Sequence, residues 1–241
     1  MDPVELAKAW SLLDREYLAG VARRGPAPVF ATVSGAHLYG FASPHGDVDL
    51  DWVAHDLRKF VRLLTSHNGY VLEQLFSPLV VVSTPAFKEL LDLDLGRGCV
   101  TRPTVRHYLG FARGRRQRLR EPAPTVKHLL YAYRVLLTGI NMMRTGEVVA
   151  NLPCLARSMP IEGLSTLMER KRAGTETMRL AEGEIEEHGR RLDGLEETLQ
   201  AAHEKSGLPE RPTTAAALED IVVRLRLAST DAVPGLLPVV P

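Results

Sequence analysis

The sequence predicts an α+β fold: a small mixed β-sheet with flanking helices, followed by a helical bundle. Runs rich in β-branched residues, such as "VFATVS" and "PLVVVS", occur in the first 100 or so residues and are typical of strands. Beyond about Thr101, apolar residues recur at three- and four-residue spacing, which is the period of an α-helix. This change predicts an α/β domain over 1–100, a helical domain over 101–228 and a Pro-rich tail over 229–241.

The first half alternates between helix and strand signals. Residues 3–22 have helical periodicity, and "VFATVS" then forms a strand that ends at Gly35. A turn-rich segment leads to "DVDLDWV", whose alternation of acidic and apolar residues predicts a second strand. Helical patterns over 56–64 and in "YVLEQLFS" come before the third strand, "PLVVVS".

The second half has four predicted helices, separated by proline and glycine. They are "RPTVRHYLGFARGRRQRLRE", "TVKHLLYAYRVLLTGINMMRTG", "IEGLSTLMERKRAG" and the glutamate-rich stretch that ends near His203. Pro122 and Pro124 lie between the first two of these helices, and Gly146 follows the second. Because proline interrupts helices and glycine commonly ends them, this punctuation supports the assignment.

Composition gives few hints about partners. The 241 residues carry a formal net charge of +1, so a nucleic acid would have to be recognised by a local patch. Cys99 and Cys154 have no zinc-site spacing, which favours a reducing compartment. We find no signal-peptide pattern at the start and no apolar run long enough to span a bilayer. We therefore expect a cytoplasmic protein without a membrane partner.

Three aspartates, Asp47, Asp49 and Asp51, occupy every second position of the second strand. In a continuous strand they would share one face, where their charges repel each other. One interpretation is an edge strand whose acids face water. The other is a site for Mg²⁺ or Mn²⁺, because paired carboxylates hold divalent cations that in turn bind phosphate oxygens.

The order of these parts favours the metal site. The stretch "SGAHLYGFASPHGDVDL" resembles the signature of the DNA polymerase β-type nucleotidyltransferase superfamily, a Gly-Ser pair followed by an acidic pair on the next strand. It is more similar still to predicted bacterial and phage nucleotidyltransferases whose acceptor is unknown. The resemblance implies that Asp47, Asp49 and Asp51 are catalytic metal ligands, and that Ser34 and Gly35 contact the phosphates of a nucleoside triphosphate.

The sequence departs from that signature at two places. Ala36 stands where the signature has a hydroxyl, and Ser34 is a candidate substitute. The third carboxylate of the superfamily comes from a neighbouring strand, but Asp51 directly follows Leu50 and leaves no residues for a turn. Either three acids share one strand, or a loop absent from the sequence separates Leu50 from Asp51. We favour the second hypothesis.

The remaining nucleotide-binding candidates are His37, which follows the glycine, and Lys127, Tyr131 and Arg134, which share one face of a predicted helix. Two cations and an aromatic ring suit the phosphates and base of a nucleotide. The alternatives are a structural loop histidine and a solvated helix face.

Five arginines fall within eight positions of "ARGRRQRLRE", from Arg113 to Arg120. Together with nearby aromatic residues, such a patch could hold the backbone of RNA or DNA. A solvated helix end is the alternative interpretation.

These observations predict a metal-dependent nucleotidyltransferase. We expect it to move a nucleoside monophosphate from an NTP, with ATP the expected one, to an acceptor hydroxyl, and to release pyrophosphate. The acceptor could be a nucleic-acid end such as RNA, a protein or a small molecule. The alternative is a catalytically inactive nucleotide- or RNA-binding module on the same fold.

Overall fold

A computed structural model describes residues 1–24, 28–43, 46–53, 57–92, 94–174 and 178–231. It confirms the α+β class, with a small sheet in the first half and long helices in the second. The strands are β1 (Phe30–Val33), β2 (Leu50–Val53) and β3 (Val80–Ser83). The helices are α1 (Pro3–Trp10), α2 (Arg15–Ala22), α3 (Gly35–Tyr39), α4 (Leu57–Leu64), α5 (Gly69–Leu75), α6 (Pro85–Asp92), α7 (Val105–Leu119), α8 (Val126–Thr145), α9 (Leu152–Ser158), α10 (Leu164–Ala173), α11 (Glu182–Glu204) and α12 (Ala215–Asp231).

The sheet has the strand order β2-β1-β3, and β1 pairs antiparallel with both neighbours. The prediction of a mixed sheet was therefore wrong for the strands that the structure describes. Strand β1 lies in the centre, and all four of its residues are buried. Such complete burial explains why its sequence, "FATV", has no alternation of polar and apolar residues.

The register of β2 also bears on the hypothesis of a missing loop. Leu50 pairs with Val33 and Asp51 pairs with Thr32, so the two residues occupy successive positions of one strand. Because the sequence joins the two residues directly, the hypothesis that a loop separates them stays a prediction. Since the side chain of Asp51 lies outside the described residues, the structure leaves its role as a ligand a prediction.

The predicted helix over 3–22 is in fact two helices, α1 and α2. The chain breaks at Asp14, whose carboxylate accepts a hydrogen bond from the backbone N–H of Tyr17 at 2.9 Å. Such a cap satisfies one of the free N–H groups at a helix start and thereby favours a new helix there. Helices α3, α6, α9 and α12 come in addition to those we predicted.

Helix α8 is the centre of the second half and contacts α7, α9, α10 and α11. Its 20 residues lie between two caps, Thr125 before the helix and Gly146 after it, and Gly146 has a φ of 77°. Buried apolar residues of both halves join one continuous cluster, and the boundary near residue 100 stays a prediction. None of the described helices combines the length and apolar character that crossing a bilayer requires.

Two contacts fix the short helix α3 against the helical half. The side-chain amide of Asn151 donates to the carbonyl of Leu38 at 3.2 Å, and the Arg172 guanidinium donates to the carbonyl of Gly40. Because α3 follows β1 directly, these contacts hold the end of the central strand in place beside α8.

Candidate nucleotidyltransferase site

A cleft of about 320 Å³ lies where the start of α3 faces helices α5, α7 and α8. We call it the α3 cleft. One wall comes from the sheet region and carries a carboxylate, whereas the other comes from the helices and carries arginines and aromatic rings. The lining residues are Ser34, Gly35, Tyr39, Asp49, Leu50, Tyr70, Glu73, His107, Phe111, Arg115, Tyr131 and Arg134.

The Ser34-Gly35 turn places the Asp49 carboxylate directly against the backbone. The N–H of Ser34 donates to the carbonyl of Asp49 at 2.9 Å, which extends the β1–β2 ladder by one position. Gly35 has a φ of 59°, a conformation that side chains disfavour. A β-carbon at Gly35 would also overlap the Asp49 carboxylate. Both the backbone conformation and the close approach of the carboxylate therefore require glycine at this position.

The three predicted acids have different positions. Asp49 is exposed and lines the cleft, and Asp47 is exposed on the segment before β2. Asp51 follows in β2, with only its backbone described. Within the described residues, no three acidic, histidine or cysteine side chains form a group that could hold a metal ion. The donor chemistry of Asp47 and Asp49 still fits Mg²⁺, because exposed carboxylates are its usual protein ligands.

Arg134 and Glu73 form an ion pair inside the helical wall. The guanidinium donates to the Glu73 carboxylate at 2.8 Å, and both side chains are almost fully buried. The guanidinium carbon also lies 3.9 Å from the centre of the Tyr39 ring. Burial alone would lower the pKa of Arg134, but the carboxylate and the neighbouring tyrosines outweigh it and raise the pKa. Arg134 is therefore a fixed cation whose charge Glu73 largely neutralises.

Arg115 is the second cation of the cleft, and aromatic rings support it. Its guanidinium carbon lies 4.6 Å from the Phe111 ring centre and 5.0 Å from that of Tyr131. His107 stacks on Phe111, with ring centres 6.2 Å apart. Burial lowers the pKa of Arg115, and a guanidinium group remains charged in proteins at neutral pH. Its half-buried charge and these flat rings suit a nucleotide.

Family comparison identifies the chain. Residues 45–224, about three quarters of the sequence, match the model of the RNA repair pathway DNA polymerase beta family, RlaP. The chain belongs to this family. The match includes Asp47, Asp49 and the whole helical wall, and begins after Ser34 and Gly35.

One curated relative and the solved structures complete the comparison. The uncharacterized protein MJ0002 of Methanocaldococcus jannaschii is 25% identical over 153 residues, which are 50% of this chain and 62% of the relative. The chain thus spans less than two thirds of the length of that relative. No solved structure matches the chain.

Two predicted binding residues of this RlaP-family chain lie apart from the cleft lining. Lys127 is half-buried on α8, one turn before Tyr131, and its charge lowers the Tyr131 pKa against the larger effect of burial. His37 faces a second cavity, on the α1 side of α3. Burial lowers the pKa of His37, and Asp49 partly offsets this shift. His37 thus lines that second cavity and not the cleft, and its contact with a nucleotide stays a prediction.

The basic run of α7 divides into different surroundings. Arg115 enters the cleft, Arg116 pairs with Asp193 and Glu196 of α11, and Arg118 pairs with Glu121. Arg113 and Arg120 are exposed. The run is therefore neither one uniform patch nor only a solvated helix end.

Several residues of the α3 cleft were not among those predicted from the sequence. His107, Phe111 and Arg115 recur at four-residue spacing on α7, which places them on one face of the helix. That spacing could have identified the aromatic wall. Nothing in the sequence joins Glu73 to Arg134, because 61 positions separate them.

Proposed function

We propose that this RlaP-family chain is a metal-dependent nucleotidyltransferase. It would bind an NTP, with ATP the expected one, in the α3 cleft. The observation that carries the proposal is the Asp49 carboxylate, which lies against the glycine turn and faces an arginine and aromatic rings across the cleft. The family match supports the reaction class.

The glycine turn would hold the triphosphate. Since Gly35 has no side chain, the Asp49 carboxylate fits beside the turn, and the backbone N–H groups at the start of α3 would face the phosphate oxygens. The Arg115 guanidinium would bind a phosphate oxygen from the opposite wall, with its plane kept in place by Phe111 and Tyr131. The same rings would offer a stacking surface to the base.

Asp47 and Asp49, together with Asp51, are the residues that would hold Mg²⁺ or Mn²⁺. A divalent cation would supply charge neutralisation at the phosphates. Arg134 would act as a positioning residue, because its pair with Glu73 fixes Tyr39 beneath the cleft. Asp51 is our candidate to accept the proton of the attacking hydroxyl.

In the proposed reaction, the oxygen of the acceptor hydroxyl forms a bond to the α-phosphorus of the NTP. The bond between the α-phosphorus and the bridging oxygen of the β-phosphate breaks, and pyrophosphate leaves with that electron pair. We propose an RNA end as the acceptor, because the family description names an RNA repair pathway.

The test is pyrophosphate release from α-labelled ATP with Mg²⁺ and a short single-stranded RNA, together with label transfer to that RNA. We expect Asp49→Asn to reduce both signals at least about 100-fold, since it removes several kcal/mol of electrostatic stabilisation. The control is Asp220→Asn, which changes an exposed aspartate of α12. ATP binding without turnover, over all four NTPs and a panel of acceptors, would overturn the proposal and favour the non-catalytic binding module.

A further inference from the structure

Helix α7 carries an exposed basic row on the side away from the cleft. The row consists of Arg106 and Arg113 on α7 and of Arg120 at its C-terminal cap, which recur every seven residues and therefore lie on nearly the same side. None of the three has an ion pair or a side-chain hydrogen bond with the part of the chain that the structure describes. Their neighbours Arg116 and Arg118 are paired with carboxylates.

Two glycines, Gly110 and Gly114, interrupt the exposed surface of the same helix. Both are exposed, and a β-carbon on either would meet no atom within 4 Å. Neither has a positive φ. Each glycine inside a helix costs about 1 kcal/mol relative to alanine. Neither packing nor backbone conformation therefore requires glycine at these two positions.

The position of these glycines offers a reason. At about 100° per residue around the helix, Gly110 and Gly114 occupy the arc between Arg113 on one side and His107 and Phe111 on the other. The arc carries no side chain at these two positions. We call this stretch of exposed backbone, between the basic row and the aromatic wall of the cleft, the path over α7.

We propose that the end of a single-stranded RNA crosses α7 along this path and enters the α3 cleft as the acceptor. This inference rests on the proposed function, since it assigns the route of that acceptor. Arg113 and its row bind phosphates before the crossing, the glycines let the sugar-phosphate backbone approach the helix, and His107 stacks against a base beyond it.

The chemistry of the three regions suits this partner. Guanidinium groups bind phosphate oxygens with two parallel hydrogen bonds. Stacking on flat rings accepts any base and contributes about 1–3 kcal/mol per base. Because the chain as a whole has a net charge of only +1, a local row of unpaired arginines is needed to attract a polyanion.

The decisive variant is Gly110→Gln/Gly114→Gln, measured with a fluorescein-labelled 12-nucleotide single-stranded RNA by anisotropy. Glutamine adds bulk without charge and favours the helix more than glycine does. The matched control is Gly20→Gln/Gly189→Gln, two helical positions that also have open space around them. We expect both variants to raise the melting temperature, and only the α7 variant to weaken RNA binding, at least tenfold.

A charge variant tests the other end of the path. This variant is Arg106→Gln/Arg113→Gln/Arg120→Gln, and we expect it to weaken RNA binding and to reduce the salt dependence of the affinity. The control, Arg23→Gln/Arg24→Gln/Arg190→Gln, removes the same number of charges elsewhere and should have a smaller effect on both quantities. Unchanged RNA affinity in the glycine variant would overturn the inference. It would also be overturned if the unsubstituted chain bound single-stranded DNA as tightly as RNA and neither α7 variant changed the affinity for that DNA.

The two proposals fail in different ways. Label transfer to RNA that the glycine variant leaves intact would refute the path and retain the nucleotidyltransferase. RNA binding that needs the glycines, in a protein that never releases pyrophosphate, would retain the path and refute the enzyme.

Discussion

The two walls of the α3 cleft are built in opposite ways. The sheet wall presents the exposed carboxylate of Asp49 on the segment before β2, whereas the helical wall contains a buried ion pair and stacked rings. Exposed acids are held by little packing, so their substitution should affect chemistry more than folding. The buried groups are held by their neighbours, so their substitution should affect folding first.

The largest expected effect is on the helical wall. Glu73→Gln leaves the Arg134 charge buried without a counter-charge, and we expect the free energy of unfolding to fall by about 3–5 kcal/mol. Urea denaturation measures this change. The control is Glu186→Gln, which breaks the exposed Arg190–Glu186 pair and should cost about 0.5 kcal/mol or less. Similar losses in the two variants would contradict the contrast between buried and exposed pairs.

A second variant separates lost charge from lost packing in the same wall. Glu73→Leu/Arg134→Met removes both charges, so much of the stability should return. Activity should stay low because Tyr39 loses the guanidinium that lies over its ring. Recovery of both stability and activity would show that Arg134 does not position Tyr39 for the reaction.

On the sheet wall, Gly35→Ala should reduce transfer about 100-fold, since the new methyl group displaces the Asp49 carboxylate. The positive φ adds a folding cost of about 1–2 kcal/mol. Gly163→Ala is the matched control, because Gly163 also has a positive φ of 77° but its nearest side-chain atoms lie 3.8 Å away. We expect Gly163→Ala to have the same folding cost and to keep full activity. If Gly163→Ala also lost activity, the effect of Gly35→Ala would be due to lower stability and not to the displaced carboxylate.

Arg115 stands between the two walls, and its substitution should have a smaller effect. We expect Arg115→Gln to raise the KM for ATP about tenfold, because it removes one charged phosphate contact. Arg115→Lys should recover only part of this loss, since the ammonium group cannot stack on Phe111 and Tyr131. Arg118→Gln on the same helix pairs outside the cleft and should leave the KM unchanged.

The sequence and the structure agree best where the signal is local. The helix α8 and the glycine turn at Gly35 could be predicted from the sequence, because each depends on residues that are close together in the chain. The antiparallel pairing of β1 with β3 could not be predicted, because the residue pattern of a strand gives no information about the direction of the neighbouring strand. The buried role of Arg134 was equally hidden, since its partner Glu73 comes from a distant helix.

His107 gives the smallest expected effect, which depends on pH. Burial lowers the pKa of His107 below its usual 6.5, with Glu73 opposing this shift and Arg134 adding to it. The unfolded chain therefore binds a proton near pH 6.5, whereas the folded imidazole binds one only at lower pH. Below about pH 6.5, unfolding therefore takes up a proton at His107, and this proton uptake lowers the free energy of unfolding as the pH falls. At higher pH the imidazole is neutral in both states and has no such effect. We expect the melting temperature of His107→Gln to fall less between pH 7.5 and 5.5 than that of the unsubstituted chain. An equal fall in both proteins would assign the acid sensitivity to other groups and remove His107 from the electrostatics of the helical wall.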